Sequence, residues 1–486
     1  MPKNQLRLAL ATATAAALTG GLLTCATAPA TAASAARAYK ADFNGDGYGD
    51  VAFAAPYATV GGKGLAGYVA VVYGSSTGLN PAKRTVVSQN TAGVPGTAEE
   101  EDFFGRALTV GDLNGDGYTD LAVGAPGEDV GSDTDGGSVT VLWGSSSGIK
   151  NGTTVKDPAA ASHDEWGRGL TAGDFNGDGR PDLAVGTSAS HAYVVKGRFT
   201  TTGTTGSAQK TGLPDKAKYG IDAMAAGDTN GDKKADLVLT YRTALNSDGS
   251  GDWTKGVAYL GTTSGPETSV PRPLNGGTSI ALGDIDGDGY DEIALGNVFT
   301  KEEGHEGSPG GKVVVIRGSE GGPVNGDVPM AELTQDSTGV PGTDEAGDGF
   351  GASVSIADVN GDGYGELAIG VPFEDIGSNK DTGSTVVIAG GTVITGGRGI
   401  SQDTYNVPGS PESMDYFGSD VLLSDVDKDG HADFTVAAAF EDEGVGAVTA
   451  LHGSSGGVTT AGARSFGPGT LGLSRTYGGF GTGLIG

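Results

Sequence analysis

Short apolar, β-branched runs recur along the chain, each bounded by glycine or proline. One kind reads VAFAAP (51–56), LAVGAP (121–126) and LAIGVP (367–372). A second reads GYVAVVYGSSTG (67–78), GSVTVLWGSSSG (137–148) and GKVVVIRGSEGG (311–322). A third opens on an aromatic–glycine pair: Phe104-Gly105, Trp166-Gly167, Phe350-Gly351, Phe417-Gly418 and, one position further out, Tyr219-Gly220. A fourth reads SQNTAGVPGT (88–97) and TQDSTGVPGT (334–343). Runs this short and this rich in Val, Ile and aromatics read as strands. The order of the four kinds is constant, so each unit carries four strands.

Between the aromatic–glycine strand and the next lies a nonapeptide, D-x-[ND]-G-D-G-x-x-[DE]. It occurs seven times, at 42–50, 112–120, 174–182, 228–236, 284–292, 358–366 and 425–433, with start-to-start spacings of 70, 62, 54, 56, 74 and 67 residues. Solenoid repeats are shorter, whereas a four-stranded propeller blade needs about 40–50 residues or more. The expected fold is all-β: a seven-bladed β-propeller with four-stranded blades. The first nonapeptide has no aromatic–glycine strand before it, while the chain ends on Phe480-Gly481-Thr482-Gly483-Leu484. That orphan strand, about 478–486, is expected to complete the first blade and leave no free sheet edge.

Composition narrows the class. Glycine supplies 90 of 486 residues without a Gly-X-Y period, which excludes collagen. Sixty acidic against 30 basic residues give a net charge of −30, the wrong sign for a nucleic-acid partner. Residues 1–33 read as a cleavable secretion signal: Lys3 and Arg7, an uncharged stretch over 8–23, then Ala30-Thr31-Ala32-Ala33. Residues 34–486 are then a single propeller domain, secreted, with no transmembrane span. The sole cysteine, Cys25, lies in the signal, where lipid anchoring is a minor alternative, so the exported chain needs staples other than disulfides.

The nonapeptides hold 24 of the 60 acidic side chains. Oxygen donors at positions 1, 3 and 5, a backbone oxygen at 7 and a carboxylate beyond form a calcium-loop pattern, with glycine at 6 for the turn. The candidate ligands of the first copy are Asp42, Asn44, Asp46, the Tyr48 backbone oxygen and Asp50. The second has Asp112, Asn114, Asp116, Tyr118 and Asp120; the third Asp174, Asn176, Asp178, Arg180 and Asp182. The fourth has Asp228, Asn230, Asp232, Lys234 and Asp236; the fifth Asp284, Asp286, Asp288, Tyr290 and Glu292. The sixth has Asp358, Asn360, Asp362, Tyr364 and Glu366; the seventh Asp425, Asp427, Asp429, His431 and Asp433. Cysteine and histidine are not spaced for a soft metal, so Ca²⁺ is favoured, at up to seven sites. Lys233 and Lys234 mark the fourth site as the weakest; the fifth nonapeptide, with five carboxylates including Asp291, is expected among the strongest. At position 7 only the backbone oxygen is required, so His431 is expected to face solvent.

Phe104-Gly105, the loop 112–120 and Gly124-Ala125-Pro126 together resemble one complete FG-GAP repeat of integrin α-subunit propellers. Gly370-Val371-Pro372 departs from the tripeptide, the units near 174, 228 and 425 lack it, and the unit near 284 lacks the aromatic. The resemblance implies cell-surface adhesion and protein or glycan binding. The chain is therefore expected to be a calcium-stabilised, monomeric binding or adhesion module for an extracellular protein or glycan. Catalytic and cofactor-binding residues are not expected, and it is read as a non-enzyme. The alternative is a secreted hydrolase of glycans or lipid-linked glycans with the propeller as scaffold. GSSTG (74–78) and GSSSG (144–148) fit G-x-S-x-G but read as turns between strands, not nucleophile elbows. The acidic pairs Glu128-Asp129, Glu374-Asp375 and Glu441-Asp442 recur after the second strand and read first as shared loop structure. With the nonapeptides joining strands 1 and 2, the long connections 97–103, 125–137, 371–383 and 410–416 fall on the opposite face. Tyr57, Phe373, Tyr416 and Phe440 are the best candidates for exposed anchors there, with packing at the rim as the equal alternative for each.

Overall fold

The computed structural model describes residues 41–244, 253–299, 308–323 and 330–486. The expected secretion signal at 1–33, with Cys25, lies outside the described residues. Seven four-stranded antiparallel sheets form the blades, each an up-and-down meander, with blade 1 taking its innermost strand from the C-terminal end. Blade 2 is representative, with strands Ala107–Gly111, Asp120–Ala125, Ser138–Trp143 and Lys150–Thr154. In blade 2 the first three strands are almost wholly buried and the fourth is largely exposed. That gradient suits a wedge whose inner strands touch both neighbouring blades and whose outer strand meets water.

The core follows from this wedge shape. Alternate residues of a strand point to opposite faces of its sheet, so each blade presents one apolar row to each neighbour. Seven of the apolar clusters among the described residues each lie at a seam between consecutive blades. At the seam of blades 1 and 2, Ala52, Val69 and Val71 pack against Leu108, Val110, Leu121 and Val123. The seam of blades 7 and 1 closes the ring through Phe53, Leu422, Val448, Phe466 and Phe480.

Closure runs through the C-terminal strand, as the sequence leads one to expect. Leu484–Ile485 pairs with Val51–Ala55, setting Ala52 opposite Ile485 and Phe53 opposite Leu484. Blade 1 thus takes three strands from one end of the chain and its innermost strand from the other. The preceding aromatic behaves like its counterparts: Phe104, Trp166, Phe350, Phe417 and Phe480 are all at most 1% exposed. Each is followed by a glycine in the left-handed region, with φ from 88° to 96°. Blade 4 breaks this rule. Its Tyr219, one position out of register, is 40% exposed and lies over the Arg242 guanidinium, 4.6 Å from ring centroid to Cζ.

Candidate metal centres and the opposite face

The nonapeptides are stiffened by their own backbone. Position 1 accepts from the amides of positions 5 and 6, as in Asp46 N to Asp42 Oδ1 at 3.1 Å and Gly47 N to Asp42 Oδ2 at 2.8 Å. Position 3 accepts from position 5 (Asp46 N to Asn44 Oδ1, 2.8 Å), and position 5 from position 7 (Tyr48 N to Asp46 Oδ1, 3.0 Å). The pattern recurs around Asp112, Asp228 and Asp358. These bonds curl successive side-chain oxygens towards one point. In the fifth loop Asp284, Asp286 and Glu292 offer oxygens within 4.8 Å of one another, and so do Asp425, Asp427 and Asp429 in the seventh. Asp286 Oδ1 is buried without a hydrogen-bond partner. Several buried or half-buried oxygens, acceptors only when ionised, converge with no donor for one of them. A hard divalent cation fits that donor set.

Position 9 has a second task that spacing does not reveal. Its carboxylate is at most 4% exposed in all seven copies. One oxygen accepts from the amide of position 2, as in Leu113 N to Asp120 Oδ2 at 3.0 Å. The other accepts from the glycine that ends the third strand. This second bond occurs in every blade, at 2.6–3.4 Å, from Gly74, Gly144, Gly197, Gly261, Gly318, Gly390 and Gly453. Burial, reinforced by the neighbouring loop carboxylates, pushes Asp50 up to about 7, Asp120 to about 8, Glu292 to about 8 and Glu366 to about 7. Two amides do not offset that desolvation, so a cation would relieve it.

The loops are also joined to one another. The position-8 amide donates to the position-1 carbonyl of the preceding loop, from Thr119 to Asp42, Ala235 to Asp174, Asp291 to Asp228, Gly365 to Asp284 and Ala432 to Asp358, at 2.9–3.0 Å. The position-7 side chain lies over the preceding loop's position-4 residue: Tyr118 on Gly45, Tyr290 on Gly231, Tyr364 on Gly287 and His431 on Gly361. A Cβ at Gly45 would stand 2.6 Å from Tyr118 Cε1, so glycine is required there by close approach as well as by its φ of 71°. His431 is accordingly half-buried against Gly361 instead of facing solvent. Lys428, the one position-4 residue that is not glycine, adopts φ 66° and sets its ammonium over the Tyr48 ring of loop 1.

Individual loops differ from their sequence reading. In the fourth, Lys233 is held at φ 67°, and Lys234 Nζ lies 2.9 Å from Asp232 Oδ2, so a resident ammonium already neutralises a candidate ligand. The fifth loop is less acidic than its count of carboxylates. Asp291 turns away to accept from the Asp228 amide at 2.7 Å, and Arg317 pairs with Asp286 Oδ2. In the third, the Asn176 amide donates to both oxygens of Asp182. The seventh gains His452, whose Nδ1 lies 3.5 Å from Asp427 Oδ2 and 3.3 Å from Asp433 Oδ1. Arg317 and His452 both end a third strand just before the Gly-Ser turn; that shared position is the signal a sequence could have given.

The opposite face carries a correction. Phe373 and Tyr416 are 5% and 3% exposed, Tyr57 is buried and Phe440 half-buried. Phe373, Tyr416, Phe440 and Tyr477 stack edge to face in series, with centroids 5.0, 5.1 and 5.8 Å apart. Connections from neighbouring blades bring these rings together, and burying them against each other removes them as anchors. The large apolar residues exposed in the connections of this face are Tyr405 (85%), Met414 (55%), Val130 (51%), Tyr477 (41%) and Tyr219 (40%). The serine turns are turns: Ser75, Ser145, Ser319 and Ser454 each donate Oγ to the glycine carbonyl three residues on, at 2.7–2.8 Å. Strands, not a strand and a helix, flank Ser145 and Ser75.

Fold and loops define a β-propeller whose blades each carry an acidic nonapeptide on one face. The FG-GAP repeat family matches residues 38–72, 104–142, 166–203, 276–316, 350–388 and 417–451, which is every blade but the fourth. The chain is an FG-GAP repeat protein. It is similar to mouse phosphatidylinositol-glycan-specific phospholipase D, 37% identical over 147 residues, or 30% of this chain and 17% of that protein. It is also similar to human integrin alpha-7, 34% identical over 164 residues, or 32% of this chain and 12% of that protein. The chain thus matches less than a fifth of the length of these relatives. Among solved structures it resembles the Dos1 propeller at 12% identity and a TM-score of 0.39, covering 76% of this chain and 71% of that one. No helix among the described residues is long and apolar enough to cross a membrane.

Proposed function

We propose that the chain is a secreted, calcium-stabilised binding module for an extracellular protein or glycan, without catalysis of its own. One observation carries this reading: the two faces divide the labour. The nonapeptides are occupied in holding one another and the ends of the second and third strands. The connections of the opposite face leave Tyr405, Met414 and Val130 in solvent, where exposed aromatic and apolar side chains supply binding area. Of the relatives, one is named as an integrin alpha chain and the other, the phosphatidylinositol-glycan-specific phospholipase D, as an enzyme. Similarity to the latter leaves the hydrolase as the second reading.

A glycan array and a cell-wall pull-down with the full chain separate the two. Saturable binding without product release supports the module, and Tyr405→Ala with Met414→Ala should weaken it about tenfold or more, as expected for exposed anchors. Turnover of any probe, or binding unaffected by that double variant, would overturn the assignment.

A further inference from the structure

Three seams carry the same arrangement on the face away from the nonapeptides. A glutamine just past the fourth strand of one blade donates Nε2 to a glutamate 39 residues on, in the next blade: Gln89 to Glu128, Gln335 to Glu374 and Gln402 to Glu441. An aspartate joins each pair. The backbone carbonyls of Asp102, Asp348 and Asp415 accept from the residue just before the glutamate, namely Gly127, Phe373 and Phe440, at 2.9–3.2 Å. That bond brings each aspartate to its glutamate. Each aspartate carboxylate takes one loop amide, from Glu99, Glu345 or Glu412.

The glutamines supply the independent observation. Gln89, Gln335 and Gln402 are 4%, 2% and 6% exposed, and in all three Oε1 is buried without a hydrogen-bond partner. Oε1 belongs to the same amide as the Nε2 that the glutamate holds, so it lies within an amide's width of that carboxylate. Leaving an amide carbonyl buried and unmet is costly, and the same vacancy three times over is not a chance rotamer. Ionised carboxylates cannot fill it, having no proton to donate.

We propose that each of these three seams holds a calcium ion, ligated by the glutamine carbonyl of one blade and by the aspartate and glutamate of the next. The donors are all hard oxygens, which excludes a soft metal. They come from three separate segments, which suits the variable coordination of Ca²⁺ better than the strict octahedron that Mg²⁺ demands. The electrostatics agree. Burial, then the charge of Asp102, raises Glu128 to about 7; burial raises Asp348 and Asp415 to about 7, each with its partner glutamate adding to the rise. Lys380 and Arg475, at the second and third of these seams, pair with Asp375 and Asp442, one residue beyond the glutamates, while at the first the charge of Lys63 acts on Asp102 more weakly than burial does. Such ions would bolt blade to blade on the face where the nonapeptides do not reach. The proposal stands or falls independently of any ligand of the module.

The test uses the full chain, stripped with chelator and dialysed against radioactive Ca²⁺. Glu128→Gln, Glu374→Gln and Glu441→Gln should each lose about one bound ion singly and about three when combined, with the nonapeptide sites still filling. An unchanged calcium count overturns the proposal. So does the alternative in which the two acids share a proton that Oε1 accepts, since it predicts no loss of calcium. Gln335→Glu guards against misfolding of the first set. A carboxylate in place of the orphan carbonyl should lower the melting temperature in EGTA yet widen the rise produced by Ca²⁺. An equal fall with and without Ca²⁺ would show that no cation is there.

Discussion

In blade 6 the second strand, Glu366–Val371, begins and leaves on an acid. At its start, Glu366 accepts from the amides of Val359 and Gly390, both in its own blade. Past its end, Glu374 accepts from the side chain of Gln335, which belongs to blade 5. Both carboxylates are buried enough for their affinity for protons to rise. The first is held by backbone of the same blade, in a loop that repeats seven times. The second is held by a side chain across a seam, and among the described residues three seams show the matching glutamine. A charge handled locally can be copied into every blade without regard to its neighbour. One handled across a seam needs both blades to agree, so it is rarer and its contribution falls on the ring and not on the blade.

Removing calcium should break the first arrangement most visibly. Loops of extracellular type bind at about 10⁻⁴–10⁻³ M. At ~2 mM Ca²⁺ each competent loop would add roughly 0.6–1.8 kcal/mol by mass action, so six would add roughly 4–11 kcal/mol, the scale of a whole domain's stability. The expected outcome is a large fall in melting temperature in EGTA. An unchanged melting temperature would mean that the backbone amides alone suffice for the acids of both faces.

The aromatic series on the other face gives the next largest effect. Tyr416 sits between Phe373 and Phe440 with φ 56°, a left-handed backbone held in place by its packing. Tyr416→Ala should cost about 3–5 kcal/mol, as for a large core aromatic. It should do so equally with and without Ca²⁺, which chemical denaturation in both buffers would show. A loss confined to binding, with stability intact, would restore Tyr416 as an anchor.

What the sequence made legible follows the same division. Seven nonapeptides, strand order and the orphan strand at 478–486 are statements about one unit and its copies, and counting suffices for them. Phe373 and Tyr416 are 43 residues apart in the chain, and nothing local in either reveals that they meet. The same holds for Gln335 with Glu374, and for Arg317 with Asp286. Position 7 looked idle because its backbone oxygen satisfies its own loop; its side chain serves the preceding loop. Blade 4 was legible as an exception, through Lys233 and the displaced Tyr219. The consequence for Tyr219, an exposed ring over Arg242, needed the fold.

Asp420 offers the finest comparison, being a buried acid that belongs to neither face. It lies on the innermost strand of blade 7, where Oδ1 accepts from Ser353 Oγ of blade 6 at 2.6 Å and from the Val421 amide at 2.9 Å. Its Oδ2 accepts from the Leu484 amide at 2.8 Å, so this one carboxyl ties blades 6 and 7 to the closing strand. Burial, outweighing those three donors, pushes it from 3.8 up to about 8. A folded-state value above the unfolded one means that the folded chain holds the proton more tightly between those limits. Stability from this group is therefore greatest at low pH and is lost as pH rises from about 4 towards 8, by at most about 1.4 kcal/mol per pH unit. Asp420→Asn, neutral throughout, should match the native chain below about pH 4 and exceed it in melting temperature by a margin that widens towards pH 8. Subtracting the two profiles cancels every acid they share, including the calcium loops. A difference that stays constant with pH would show that the three donors win and that Asp420 is ionised throughout, closing the ring as a carboxylate.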